Sequence, residues 1–204
     1  MLFYTIRLAL WIAVACLLIV LIRRSDLKRK RAAYILAVFM AAVLTSISVI
    51  FPVENLFVHF DSAERVFSYV GKGDVQAILN GNDSCMVVYS QQGKLDGQLL
   101  LPKEGNRYLV PSPSTTMKVS SSNTNQSAFY DVYSVRGTED YYVFGYFISE
   151  SPAIDITDSE GKPLQTTVYP SASPELRYVT FFGVIEDYQA DYYIMANGNR
   201  VPAE

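Results

Sequence analysis

The one histidine of this 204-residue chain, His59, sets the first limit on its chemistry. A Ser-His-Asp or Cys-His site needs an imidazole positioned to take the nucleophile's proton. His59 follows a long apolar run by a few residues and reads as an interfacial side chain, not a base. A transpeptidase site of the sortase type would need Cys, His and Arg on a β-barrel, and His59, Cys85 and either Arg107 or Arg136 supply those residue types. No Thr-x-Thr-Cys strand precedes Cys85, however. In Cys85-Met86-Val87-Val88 this cysteine reads as a small buried hydrophobe. Two cysteines are too few for a disulfide framework, and Cys16 lies apart from Cys85, inside an apolar run.

The acids select no site either. Zinc needs several His or Cys ligands, which this composition does not offer. Asp155, Asp158 and Glu160 beside Gly161 hint at calcium. Setting Gly161 at the sixth place of an EF-hand loop, however, puts Ile156 first and Thr167 twelfth, where carboxylates are required. The segment reads as a solvated turn. A carboxylate pair for glycoside hydrolysis is open on composition, but no spacing singles one out. Neither a P-loop nor a dinucleotide fingerprint occurs. No catalytic, cofactor-binding or metal-ligating residue is therefore expected, and no cofactor. Thirteen of the 15 tyrosines lie beyond residue 53, including Tyr141-Tyr142 and Tyr192-Tyr193. They suit either an aromatic recognition surface or half-buried strands with adjacent rings pointing in and out, and the strand reading is preferred. Asn82-Asp83-Ser84 and Asn125-Gln126-Ser127 match the glycosylation sequon, which matters only in a eukaryotic secretory host.

The elements that would carry any such site divide sharply by charge. Up to Pro52 the chain has seven cations and one acid, Asp26; beyond it there are ten cations and 19 acids, a balance of −9. So acidic a second part argues against a nucleic-acid surface, which needs clustered cations.

Leu8 to Ile22 is uninterrupted apolar sequence, extended toward Met1 around Arg7, and Ala33 to Phe51 is a second run broken only by Thr45, Ser46 and Ser48. About 20 helical residues cross the hydrocarbon layer. The expectation is a two-helix transmembrane hairpin over residues 1–52, with spans at 3–22 and 33–52, and with Arg7 snorkelling to the headgroups. Between the runs, Arg23, Arg24, Lys28, Arg29, Lys30 and Arg31 place loop 23–32 in the cytoplasm and close to anionic lipid headgroups. The N-terminus and everything past residue 53 then lie outside a multi-pass cell-membrane protein. Ala32, Ala33, Ala37, Ala41 and Ala42 give the second run a small-residue face that suits packing with another membrane protein.

A connector, 53–60, leads to a β-rich domain over 61–204. Asp61-Ser62-Ala63-Glu64 has the form of a capping box with Asp61 as cap, opening a short helix with Val66, Phe67 and Val70 that Gly71 and Gly73 end. Strands are expected at 75–79 and 85–89 around the Asn80–Asp83 turn, at 99–101 and 107–110 around Pro102–Asn106, and at 115–119. Further strands are expected at 129–135, 141–148, 153–156, 165–169, 177–185 and 192–195. Ser120 to Ser127 lacks apolar residues and reads as an exposed loop. Short strands punctuated by turns imply a sandwich or partly closed barrel.

Phe144-Gly145, Ile154–Ile156, the acidic turn Asp158–Gly161, the aromatic Tyr178–Phe182 and the closing Ala196–Asn199 turn come in an order similar to that of an uncharacterised family. Its members are extracytoplasmic, membrane-anchored β-domains of Gram-positive bacteria. "AERVFSYVG" and "CMVVYSQQGK" resemble the helix and hairpin that precede that unit. The resemblance implies an immunoglobulin-like β-sandwich and no activity. The expected function is a non-enzymatic bacterial membrane protein that presents this domain to a membrane or envelope protein partner or another envelope component. An envelope hydrolase using a carboxylate pair, and an accessory or sensor subunit acting through the hairpin, are the alternatives.

Overall fold

The computed structural model describes residues 2–24, 30–71, 73–91, 94–124, 128–150, 154–170 and 175–201. Helices α1 (Leu2–Arg24) and α2 (Lys30–Ile50) run antiparallel. The Trp11 indole N–H of the first donates to the Ser48 hydroxyl near the end of the second, at 3.1 Å. Ala33, Ala37 and Ala41 repeat every four residues and are half-buried on α2, so part of the small-residue face is used within the chain. Residues 25–29, with Lys28 and Arg29 of the basic cluster, lie outside the described residues.

Among the described residues one helix is long and apolar enough to cross a membrane, α2 through Arg31–Ser48. The expected two-helix transmembrane hairpin is thereby corrected to a single candidate span. Arg7 shows how α1 differs. Its guanidinium does not reach out toward headgroups but is buried and bound by Glu54, immediately before the β-domain. A charge held inside by an acid ties that end of α1 to the domain.

Past Ile50 a 3-10 turn (Val53–Leu56) leads to α3 (Ala63–Val70). The cap is Ser62, one residue later than expected: its hydroxyl accepts the Arg65 N–H, while Asp61 pairs with the Arg65 side chain at 2.8 Å. The helix stops at Gly71, whose N–H closes on the Phe67 carbonyl.

The strands form three antiparallel sheets. β1 (Asp74–Asn80), β2 (Ser84–Gln91), β3 (Lys94–Glu104) and β4 (Arg107–Tyr108) make a meander in that order. The remaining strands are β5 (Thr116–Thr124), β6 (Ala128–Val135), β7 (Tyr141–Ser149), β8 (Ile156–Asp158), β9 (Gln165–Pro170), β10 (Arg177–Ile185), β11 (Ile194–Ala196) and β12 (Asn199–Val201). They divide into a five-stranded sheet of order β5-β6-β7-β10-β9 and a three-stranded sheet of order β12-β11-β8.

Alternation along the strands dictates how these sheets stack. On β2, Cys85 and Val87 face α3, packing with Ala63, Val66 and Phe67. The intervening Met86 and Val88 face the five-stranded sheet, packing with Tyr142 and Phe182. On β10, Phe182 points to the meander, while Val179 and Phe181 point the other way, onto Ile156, Ile194 and Val201 of the small sheet. The layers therefore run α3, meander, five-stranded sheet, three-stranded sheet. Strands covered on both faces read as continuous apolar runs, and "VTFFGVI" is one. The mainly-β expectation stands, but the immunoglobulin-like two-sheet sandwich is corrected to three stacked sheets under one helix. β6, β7 and β10 are apolar on both faces and each face needs a cover.

One further difference has a local cause. Ser120–Thr124, expected as loop, continues β5 as a polar edge strand paired with Ala128–Val132, and its Ser122 is buried. Edge strands tolerate such polarity because one side of their ladder faces water. Residues 125–127, and with them one sequon, lie outside the described residues.

Candidate functional site

A cleft of about 580 Å³ opens where the end of the meander's first hairpin meets the five-stranded sheet. The β1–β2 turn (Leu79–Asn82) forms one wall and Glu139-Asp140, ahead of β7, a second. Lys162–Gln165 before β9 and Phe182–Glu186 at the end of β10 complete it. Its floor is apolar, from Leu79, Leu164 and Phe182; its rim is polar, from the exposed Asn82, Glu139, Lys162, Gln165 and Glu186.

Asp140 organises the walls. One carboxylate oxygen accepts the Asn82 N–H at 2.8 Å; the other accepts the Asp83 N–H at 2.8 Å and the Ser84 hydroxyl at 2.6 Å. Ser84 and the Tyr142 hydroxyl, 2.8 Å apart, extend the chain inward. Burial raises the Tyr142 phenol far above its ordinary value, so it stays protonated and serves as a hydrogen-bonding post. This network locks the β1–β2 turn of the meander to the five-stranded sheet. Gly81 allows the close approach: a Cβ there would lie 2.5 Å from the Asp140 carboxyl carbon. With three donors on its two oxygens, Asp140 acts as a clamp.

The rest of the rim stays accessible. Lys162 pairs with Glu186 across the cleft mouth, both being largely exposed. Two exposed carboxylates, Glu139 and Glu186, against one ammonium make the rim net acidic, which disfavours anionic ligands and favours cationic or neutral, hydroxyl-bearing ones. Each rim charge is screened by water and none carries a large stabilising energy.

The residues singled out by type scatter. His59 is exposed, and Arg136 is exposed at the β6–β7 turn. Arg107 donates to the Val58 carbonyl at 3.1 Å. Cys85 is fully buried under α3, and burial pushes its thiol up to about 12, so little thiolate forms at neutral pH. In the acidic turn, Asp158 is buried and its carboxylate accepts the N–H groups of Glu160 and Lys162, while Asp155 and Glu160 are exposed. Among the described residues no three of His, Cys, Asp and Glu are grouped as metal ligands.

In each adjacent pair of tyrosines, in β7 and just ahead of β11, one ring is buried and the other lies nearer the surface. Tyr142 is buried while Tyr141 stacks on Tyr188 at 4.8 Å, and Tyr192 is buried while Tyr193 lies under the Arg200 guanidinium at 4.1 Å. Sequence reasoning missed Asp140, Ser84 and the cleft, because their contacts span 56 to 58 residues and no local pattern announces them.

A second built site lies at the joint between helices and domain. Arg7 Nε and Nη2 donate to the two Glu54 carboxylate oxygens at 2.6 and 2.7 Å, and the Tyr69 hydroxyl adds a third bond at 3.3 Å. Burial alone would raise the Glu54 carboxyl, but the hydrogen bonds and charge of Arg7 outweigh it and hold the group below its ordinary value. Asn55 exchanges two bonds with the Val110 backbone, at 2.8 and 3.0 Å. This joint positions the domain and does no chemistry.

Comparison with protein-family models, with curated proteins and with solved structures finds no match to this chain.

Proposed function

We propose that this chain is a non-catalytic bacterial membrane protein that presents its β-domain, outside the cytoplasm, to a protein partner or another envelope component. One observation carries the reading. The candidate span Arg31–Ser48 has Lys28-Arg29-Lys30-Arg31 at its start and passes within a few residues into the acidic domain. Clustered cations stay on the cytoplasmic side, near anionic lipid headgroups, and so direct the chain beyond the span to the other face. The cleft of Asn82, Glu139, Gln165 and Glu186 is the proposed contact for the partner, since its apolar floor and acidic rim suit a hydroxyl-bearing or cationic group.

Orientation is tested by cysteine labelling in a Cys16→Ser background, where buried Cys85 is silent. A cysteine placed at Gly105, in the exposed β3–β4 turn, should react with a membrane-impermeant maleimide on intact cells. Labelling only after permeabilisation would put the domain inside and overturn the proposal.

Envelope hydrolysis by a carboxylate pair is favoured by a single observation, that Glu139, Asp140 and Glu186 line one cleft. Because Asp140 is committed to its three donors, the pair would be Glu139 and Glu186. Release of reducing ends from cell-wall glycan by the full-length protein, lost in Glu139→Gln and in Glu186→Gln, would replace the binding reading with this one.

A further inference from the structure

The residues joining α2 to the β-domain carry an uncovered apolar surface. Leu56 and Phe57 are 75% and 81% exposed, and Ile50, Phe51 and Val58 are exposed beside them. One exposed large apolar side chain is ordinary; five between residues 50 and 58 form a patch that surfaces facing water seldom hold.

The turn cannot fold them inward, because polar residues occupy its inner side. Glu54 is held there by Arg7 and Tyr69, and Asn55 by both backbone groups of Val110. The Phe57 and Val58 N–H groups both close on the Glu54 carbonyl, at 3.0 and 2.8 Å. With that backbone pinned, Leu56 and Phe57 face out.

We infer that Leu56 and Phe57 form a wedge among the lipid chains at the edge of the membrane that α2 crosses. The wedge seats the domain on the bilayer surface and prevents it from swinging on a linker. The inference rests on the proposed membrane reading of α2, and the length of the chain selects lipid as the occupant. From Arg31 to Ile50 a helix rises about 30 Å, the thickness of the hydrocarbon layer, so Phe51 falls at its boundary. The four residues of the 3-10 turn add at most about 8 Å, while the interfacial zone is roughly 5–7 Å deep on each side. Apolar faces of interfacial segments sink about 5–10 Å into the same zone. Leu56 and Phe57, one short turn beyond the boundary, lie within reach of this zone, and the patch continues the exposed Ile47 and Ile50 of α2.

Trp11 is the chain's one tryptophan, so Trp11→Phe clears the way for a single reporter. Full-length protein carrying Phe57→Trp, or Phe39→Trp as a mid-span control, is reconstituted into phosphatidylcholine–phosphatidylglycerol vesicles. A fraction of the lipid is brominated either near the headgroup end or near the methyl end of the acyl chain. The expected result for Phe57→Trp is a blue-shifted emission quenched roughly twofold by the headgroup-end bromines, at the depth of interfacial segments. The mid-span control should instead be quenched by the methyl-end bromines. Quenching of the control but not of position 57 overturns the wedge and leaves the membrane reading standing. That holds whether the unquenched emission is red-shifted, from water, or blue-shifted, from a protein covering the patch. Failure of both positions to quench overturns the membrane reading itself.

Discussion

Asp140 and the Arg7–Glu54 pair bring distant parts of the chain together, and each makes a measurable demand. Asp140→Ala strands two backbone N–H groups and a buried hydroxyl. It should cost about 3 kcal/mol in urea unfolding of the detergent-solubilised protein, whereas Tyr142→Phe should cost about 1 kcal/mol. Gly81→Ala should resemble Asp140→Ala, because a methyl group there displaces the carboxylate. Breaking the joint by Glu54→Gln leaves a buried guanidinium short of its counter-charge and should cost about 3 kcal/mol; Arg7→Met with Glu54→Met should restore most of it. The same pair sets a pH dependence. The Glu54 carboxyl is held below its ordinary 4.5, so the folded protein binds fewer protons there than the unfolded chain. Its contribution is complete above that value and is lost as pH falls through the lower folded one. Unfolding midpoints between neutral pH and pH about 3 should drop more in the parent than in Arg7→Met/Glu54→Met. Little of this was legible beforehand. Arg7 stood out as a charge in an apolar run, but its partner is 47 residues away.

Strands were the most readable elements and their stacking the least. The strand expectations largely coincide with the observed elements because turn residues punctuate them and alternation marks their faces. For β10 the apolar run said that both faces are buried without naming the two covers. That distinction has a direct test. In a two-layer sandwich, adjacent residues of a strand differ, one buried and one exposed. Here both Phe181 and Phe182 are buried, on opposite faces. Phe181→Ala and Phe182→Ala should therefore each cost about 3–5 kcal/mol. Thr166→Ala, on the exposed β9 edge, should change stability by under about 0.5 kcal/mol. A neutral Phe181→Ala or Phe182→Ala in denaturant titrations would contradict the third layer. Only the second half of β5, Ser120–Thr124, escaped the sequence expectation, because serines, threonine and asparagine in an edge strand look like a loop when the pairing partner is out of view.

At the scale of the molecule, a helix able to span a membrane is joined by a pinned turn to a layered β-domain whose cleft lies among the strand ends. Removing residues 1–50 should release the remainder from carbonate-washed membranes into the supernatant, while the full chain stays in the pellet. The freed piece should adsorb to vesicles through Leu56 and Phe57 more strongly than its Leu56→Ser/Phe57→Ser variant, since each buried apolar side chain is worth about 1.5–3 kcal/mol. By itself the sequence determined the charge division at residue 53, the apolar run that becomes α2, the short helix ended by Gly71 and the mainly-β character beyond it. All of these are written in composition or in periods of a few residues, which act locally. Only the tertiary structure decided that Arg7 is bound by Glu54 instead of reaching the headgroups, that three sheets stack where two were expected, and that Asp140 clamps a cleft. Those outcomes depend on which buried faces and charges find each other across many tens of residues, and no local pattern encodes that choice.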